Sequence, residues 1–173
     1  MHFIEMMLSS VVFIGLILTW KDHNARWLFS LMITLQLVDT VANPIAITWT
    51  RHYYLWCLIL NICFLVLFLT RGVQAEAAYR LTKIKFFKKA REDYALTIPE
   101  CCICLLLFIS ALLCFAAWVE IQLYFYDILS YPFIYHHIWS PTQYTLHILE
   151  SLTLITFIVH VRRSKGELIY ENN

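Results

Sequence analysis

The sequence predicts an all-α, polytopic integral membrane helix bundle of five transmembrane helices, with the N-terminus outside and the C-terminus inside. Three observations carry this prediction. The chain is 61% hydrophobic and 14% charged, against about 25% charged in a soluble domain. Its apolar residues gather into five runs, at about 3–20, 27–49, 53–70, 98–119 and 144–161. Each is near the length that crosses a hydrocarbon core of about 30 Å at about 1.5 Å per helical residue. The basic residues are unevenly divided: with the runs threaded alternately from an outer N-terminus, all but one of the thirteen Lys and Arg residues fall in inner segments, leaving Arg51 outside. Cytoplasmic loops concentrate Lys and Arg, which sets the orientation. A soluble core does not absorb so many apolar runs, so lipid is the solvent for much of the surface. Residues 1–173 then form a single transmembrane domain, multi-pass, in a plasma or bacterial inner membrane.

The first run reads as an uncleaved anchor. Met1-His2-Phe3-Ile4-Glu5 has no Lys or Arg, and no small-x-small cleavage site follows. The second run carries a polar stripe, Gln36, Asp39, Thr40 and Asn43, whose spacing of three and four places it on one helix face. Pro44 follows and frees a backbone carbonyl near residue 40. The third run ends at a basic segment, 71–93, in which Val73, Ala77, Leu81, Ile84 and Phe87 recur at helical spacing. This segment either lies on the inner leaflet, with Lys83, Lys85, Lys88 and Lys89 against anionic lipid headgroups, or prolongs the third span into the cytoplasm. Ordinary positive-inside charge is the simpler role for these lysines. Gly72 permits a bend here without demanding one.

The fourth run opens on Thr97-Ile98-Pro99-Glu100, which fits a capping box with proline in the first turn. The six cysteines all sit inside apolar runs. That excludes an extracellular disulfide framework and points to packing as small apolar residues, Cys101 and Cys102 being the two placed for lipidation. The loop 127–143 has no Lys or Arg and is rich in aromatics, so it packs at the outer interface. His136 and His137 lack an acidic or Cys partner at ligand spacing, and no metal site is expected. Ser140-Pro141 reads as the N-cap and first residue of the last helix.

The last run repeats the polar pattern of the second: Gln143, His147, Glu150 and Ser151 share a face. By register, Asn43 and Glu150 both lie roughly 9 Å below the outer boundary, with Asp39 deeper. If the two helices meet, Gln36, Asp39, Asn43, His147 and Glu150 form one intramembrane cluster. No Lys or Arg lies mid-span to neutralise it, so at least one acid holds a proton or pairs with His147. The simplest role is helix-to-helix glue, at about 0.6–2 kcal/mol per hydrogen bond.

No glycine-rich phosphate loop, metalloprotease motif, nucleophile elbow or internal repeat occurs, so no catalytic residue is nominated. No cofactor and no nucleic-acid partner is expected. The leading reading is a non-enzymatic accessory or interaction subunit, a homo-oligomer or docked on a membrane-protein partner. The alternative is a proton- or cation-coupled transporter or channel using Asp39, His147 and Glu150. Against it stands the scarcity of glycine, three in all, since transporters commonly use small residues for close approach and unwound segments. A haem protein on His147 and His160, and an enzyme acting on lipid headgroups through outer His and acids, are the lesser alternatives.

Overall fold

Five long helices close into a ring around a central space, and short connectors dictate the order. A computed structural model describes the backbone of residues 2–171 and the side chains of residues 7–163. Its elements are α1 (His2–Leu18), α2 (His23–Ala46), α3 (Tyr53–Thr82), α4 (Lys85–Glu92), α5 (Ile98–Phe125), a π-helical turn (Ile134–Ile138) and α6 (Trp139–Glu171). No strand occurs among the described residues. Packing runs from α1 to α2, α2 to α3, α3 to α5, α5 to α6 and back from α6 to α1; α4 lies against α2 and α3. Among the described residues, four helical stretches are long and apolar enough to cross a membrane: His23–Ala46, Tyr53–Thr82, Ile98–Phe125 and Ile134–Arg163. The first helix is shorter, its apolar described part being Met7–Leu18. This is a multi-pass helical membrane protein. We call the two ends of the ring the basic end, with the α1–α2 and α3–α5 connections, and the aromatic end.

The basic end is built on local chemistry. Asp22 caps α2, its Oδ1 accepting the Ala25 N–H at 2.8 Å, which satisfies an orphan donor of the first turn. Helix α3 continues unbroken through Gly72 to Thr82. Gly72 is needed for close approach instead of a bend: a Cβ there would meet the Tyr94 ring at 2.9 Å. At Lys83 the backbone enters the left-handed region, φ 57°, and the chain folds back as α4. The segment 71–93 is therefore a helical hairpin, combining an extended third helix with a short returning one. The apolar residues 77, 81, 84 and 87 do not form one stripe. Leu81 is 86% exposed, whereas Phe87 packs edge-on against Trp27 at 5.2 Å. Phe86 lies under the Arg26 guanidinium at 4.1 Å.

Where α1, α2 and α6 converge, Gly15 is the contact point. A Cβ there would fall 2.5 Å from Phe29 Cζ and 3.0 Å from Ile158 Cδ1. Around it lies the main core, including Val12, Phe29, Phe68, Leu107, Leu154 and Phe157. A second core at the aromatic end joins Tyr54, Cys114, Ala117, Ile121 and Trp139. Two boundaries differ from the sequence expectation. Helix α5 runs past Val119 to Phe125, and α6 starts at Trp139 instead of being capped by Ser140. Pro141 lies within a helix that continues from the π turn, where it has no N–H to give to the preceding turn.

Candidate functional site

The centre of the ring is a cavity of about 940 Å³, at the upper end of the range for ligand pockets, roughly 300–1,000 Å³. All five residues of the expected cluster line it: Gln36, Asp39 and Asn43 from α2, and His147 and Glu150 from α6. The two helices touch towards the basic end, where the Phe29 and Phe157 rings lie 5.9 Å apart; the polar groups lie nearer the aromatic end. Helix α2 packs on α1, α3 and α4, helix α6 on α1 and α5, and the polar faces meet across the cavity. The helical repeat explains this: each stripe advances by three and four, so it stays on the inward face through the polar stretch.

Both acids of the cluster have side-chain partners. Glu150 Oε2 lies 3.0 Å from His147 Nδ1, one turn away on the same helix, and Glu150 is only 7% exposed. The Ser151 hydroxyl donates to the His147 carbonyl at 2.8 Å. Asp39 Oδ1 accepts the Trp56 indole N–H at 3.3 Å, which ties α2 to α3. Gln143, on the predicted α6 face, exchanges bonds with Ser110 of α5: its Nε2 donates to Oγ at 3.3 Å and its Oε1 accepts at 3.4 Å. Buried Cys114 accepts from Asn61 Nδ2 at 3.5 Å and from Gln143 Nε2 at 3.8 Å, so it is a polar junction as well as a packing residue. Cys101 and Cys102 are exposed on the outer surface of α5.

The cavity has a direction. Met32, Phe68, Ile103, Leu107 and Leu154 both line it and belong to the buried core, which closes it towards the basic end. At the aromatic end its lining includes Tyr53, Trp139 and Tyr144. Trp139 is fixed there by an edge contact with Tyr54 at 4.5 Å. Among the described residues, no Lys or Arg lines the cavity.

Two buried acids lie outside the cluster, Glu120 unmarked in the sequence and Glu100 marked there as a helix cap alone. Glu120 of α5 accepts the Ile134 and Tyr135 N–H groups at 2.8 and 2.9 Å. It thereby holds the start of the π turn, from which α6 enters the cavity wall. The signal was an acid late in an apolar helix, obscured by ending that run at Val119. Glu100 was read as a cap, and its Oε2 does accept the Thr97 N–H at 2.6 Å. It also pairs with Arg71 of α3, a partner too distant in sequence for local pattern to reveal.

The remaining candidates stand apart. Lys83, Lys85, Lys88 and Lys89 are all exposed on the hairpin at the basic end. His137 Nε2 lies 3.0 Å from the Tyr131 hydroxyl, and His136 stacks on the Tyr131 ring at 5.0 Å. His160 is exposed on α6, whereas His147 lines the cavity, so the two do not share an environment. No group of three or more His, Cys, Asp or Glu among the described residues is placed to hold a metal ion. No protein-family model matches this chain, and no curated protein or solved structure is detectably similar to it.

Proposed function

We propose that this is a five-crossing membrane protein, N-terminus outside and C-terminus inside, that binds a cationic species in its central cavity without chemically altering it. One observation carries the binding reading: Gln36, Asp39, Asn43, His147 and Glu150 line a single cavity that no Lys or Arg among the described residues lines. Asp39, together with the His147-paired Glu150, favours a positive over a negative occupant. The packed core at the basic end argues for a binding protein or carrier over an open channel. The topology is supported by the uneven division of Lys and Arg and by the 17 residues of α1, about 26 Å of helix. A plasma or bacterial inner membrane suits that charge pattern. A reporter after Asn173 is then cytoplasmic, and a tag within Asp127–Ser140 is reached from outside; reversed labelling contradicts the topology.

The binding test uses protein in neutral nanodiscs with tetraethylammonium and its uncharged carbon isostere tetraethylmethane as probes. Saturable binding of the cation alone is the result expected, lost in Asp39→Asn/Glu150→Gln at an unchanged unfolding midpoint. Equal binding of both probes overturns the reading.

A second reading, an accessory subunit docked on a membrane partner or on its own copy, is supported by the hairpin. There Phe86 and Phe87 pack inward and four lysines stay exposed, suited to anionic lipid or an acidic partner. Crosslinking in mild detergent tests it: a strictly monomeric, partner-free particle contradicts it.

A further inference from the structure

The cavity lining changes character at a definite point on every helix of the ring. Towards the basic end the last polar lining residue is Ser10 on α1, Gln36 on α2, Asn61 on α3, Ser110 on α5 and Glu150 on α6. Beyond these points the lining is apolar: Phe13, Met32, Phe64, Leu107 and Leu154 lie next along the five helices. All five helices thus agree on an apolar basic end, while the polar groups towards the aromatic end come chiefly from α2 and α6, with Leu8 of α1 and Leu60 of α3 among them. A hydrated inorganic cation needs no such apolar compartment, and water gains little from entering one. A purely apolar ligand would press hydrocarbon against this polar lining and take water from it.

We infer that the occupant is a single-chain amphiphile with a cationic ammonium head, the head among Asp39, Asn43, His147 and Glu150 and the hydrocarbon tail directed towards Met32 and Leu154. This rests on the binding reading above and names its ligand class. The sign of the head follows from the lining. A phosphate or carboxylate head would face Asp39 and Glu150 with no Lys or Arg among the described residues to receive it, a like-charge contact in a poorly solvated site. An ammonium offers donors to both acids and to the amide oxygens of Gln36 and Asn43.

The test uses decylammonium with a diazirine at the tail terminus, photoactivated on the protein in phosphatidylcholine nanodiscs, with labelled positions located by mass spectrometry. Butylammonium, decylammonium and decanol serve as competitors. Labelling concentrated on Met32, Phe64, Phe68, Leu107 and Leu154 is the expected result. Decylammonium is expected to compete at a concentration at least about tenfold lower than either partial ligand, because only it fills both compartments. Leu107→Phe, which narrows the apolar end, is expected to weaken decylammonium while leaving butylammonium unchanged; equal loss of both contradicts the tail placement. Labels at Tyr53 and Trp139, or spread over lipid-facing positions, overturn the inference without using any variant. Butylammonium competing as well as decylammonium overturns the amphiphile and leaves the cation site standing. Decanol competing as well as decylammonium overturns both readings.

Discussion

Arg71 of α3 and Glu100 of α5 form an ion pair from which solvent is wholly excluded, both side chains being 0% exposed. Further contacts flank it, although Arg71 Nε has no hydrogen-bond partner among the described residues. Arg71 Nη2 donates to the Ala95 carbonyl at 3.3 Å, and the guanidinium lies 5.0 Å from the Tyr94 ring centre. The Trp27 indole donates to the Arg71 carbonyl at 3.2 Å. One buried pair therefore joins α2, α3 and the entry to α5 at the basic end, beneath the core that closes the cavity. Removing one partner leaves a buried charge uncompensated, at about 3–5 kcal/mol. Arg71→Met and Glu100→Leu are each expected to lower the unfolding midpoint strongly, and the double variant to recover much of the loss. Differential scanning of the detergent-solubilised protein reads this; additive losses would show that the pair itself is not the determinant.

Gly15 is expected to resist even one added methyl. A Cβ would sit 2.5 Å from the Phe29 ring, and Phe29 is itself fully buried, so it cannot simply swing away. Gly15→Ala should destabilise by about 1–3 kcal/mol, and Phe29→Leu should restore part of it. The same unfolding assay reports both, and a neutral Gly15→Ala would show that α1 is not seated as described.

The π turn depends on a single carboxylate. Glu120→Gln retains one oxygen but turns an amide N–H₂ towards a backbone donor, stranding one of the two N–H groups at about 1–3 kcal/mol. Amide hydrogen exchange at Ile134 and Tyr135 is expected to accelerate, with the amides of α3 unchanged. Uniform acceleration across the bundle would indicate global destabilisation instead.

The hairpin carries the pH dependence. Hydrogen bonding from Arg80, together with the charge of Arg91, holds the Glu76 carboxyl below its ordinary range. A lowered folded-state pKa stabilises above the unfolded-state value and loses that contribution as pH falls through the folded one. Acidification from neutrality to below the usual glutamate range is therefore expected to loosen α4 from α3. Spin labels on Tyr79 and Lys88 should separate in acid, and Glu76→Gln should remove the pH response. A pH-independent distance in the unmodified hairpin would contradict the latch.

Much of this architecture was legible because membrane helices announce themselves by length and apolarity, and because a three-and-four spacing fixes a face whatever it meets. That is why the second and last runs disclosed Gln36, Asp39, Asn43, His147 and Glu150. What packs against a face is a tertiary fact. The stripes suggested helices in contact; α2 and α6 do meet, through Phe29 and Phe157 at the basic end, while their polar stretches line a cavity. Arg71–Glu100 and Glu120–Ile134 join positions 29 and 14 residues apart, beyond any helical repeat. Lys83 turns the chain from a residue whose chemistry does not signal a left-handed bend, so the hairpin was invisible beside two simpler alternatives.

The central claim is that Asp39 and Glu150 serve one site, and a carbodiimide protection experiment tests it most directly. The protein in nanodiscs is treated with an apolar carbodiimide over a series of decylammonium concentrations, and modification of each acid is followed separately by peptide mass spectrometry. The account predicts that both carboxyls are modified in the absence of the amine and become protected with the same half-point. Protection of only one, or protection of the two at clearly different concentrations, would contradict a shared site.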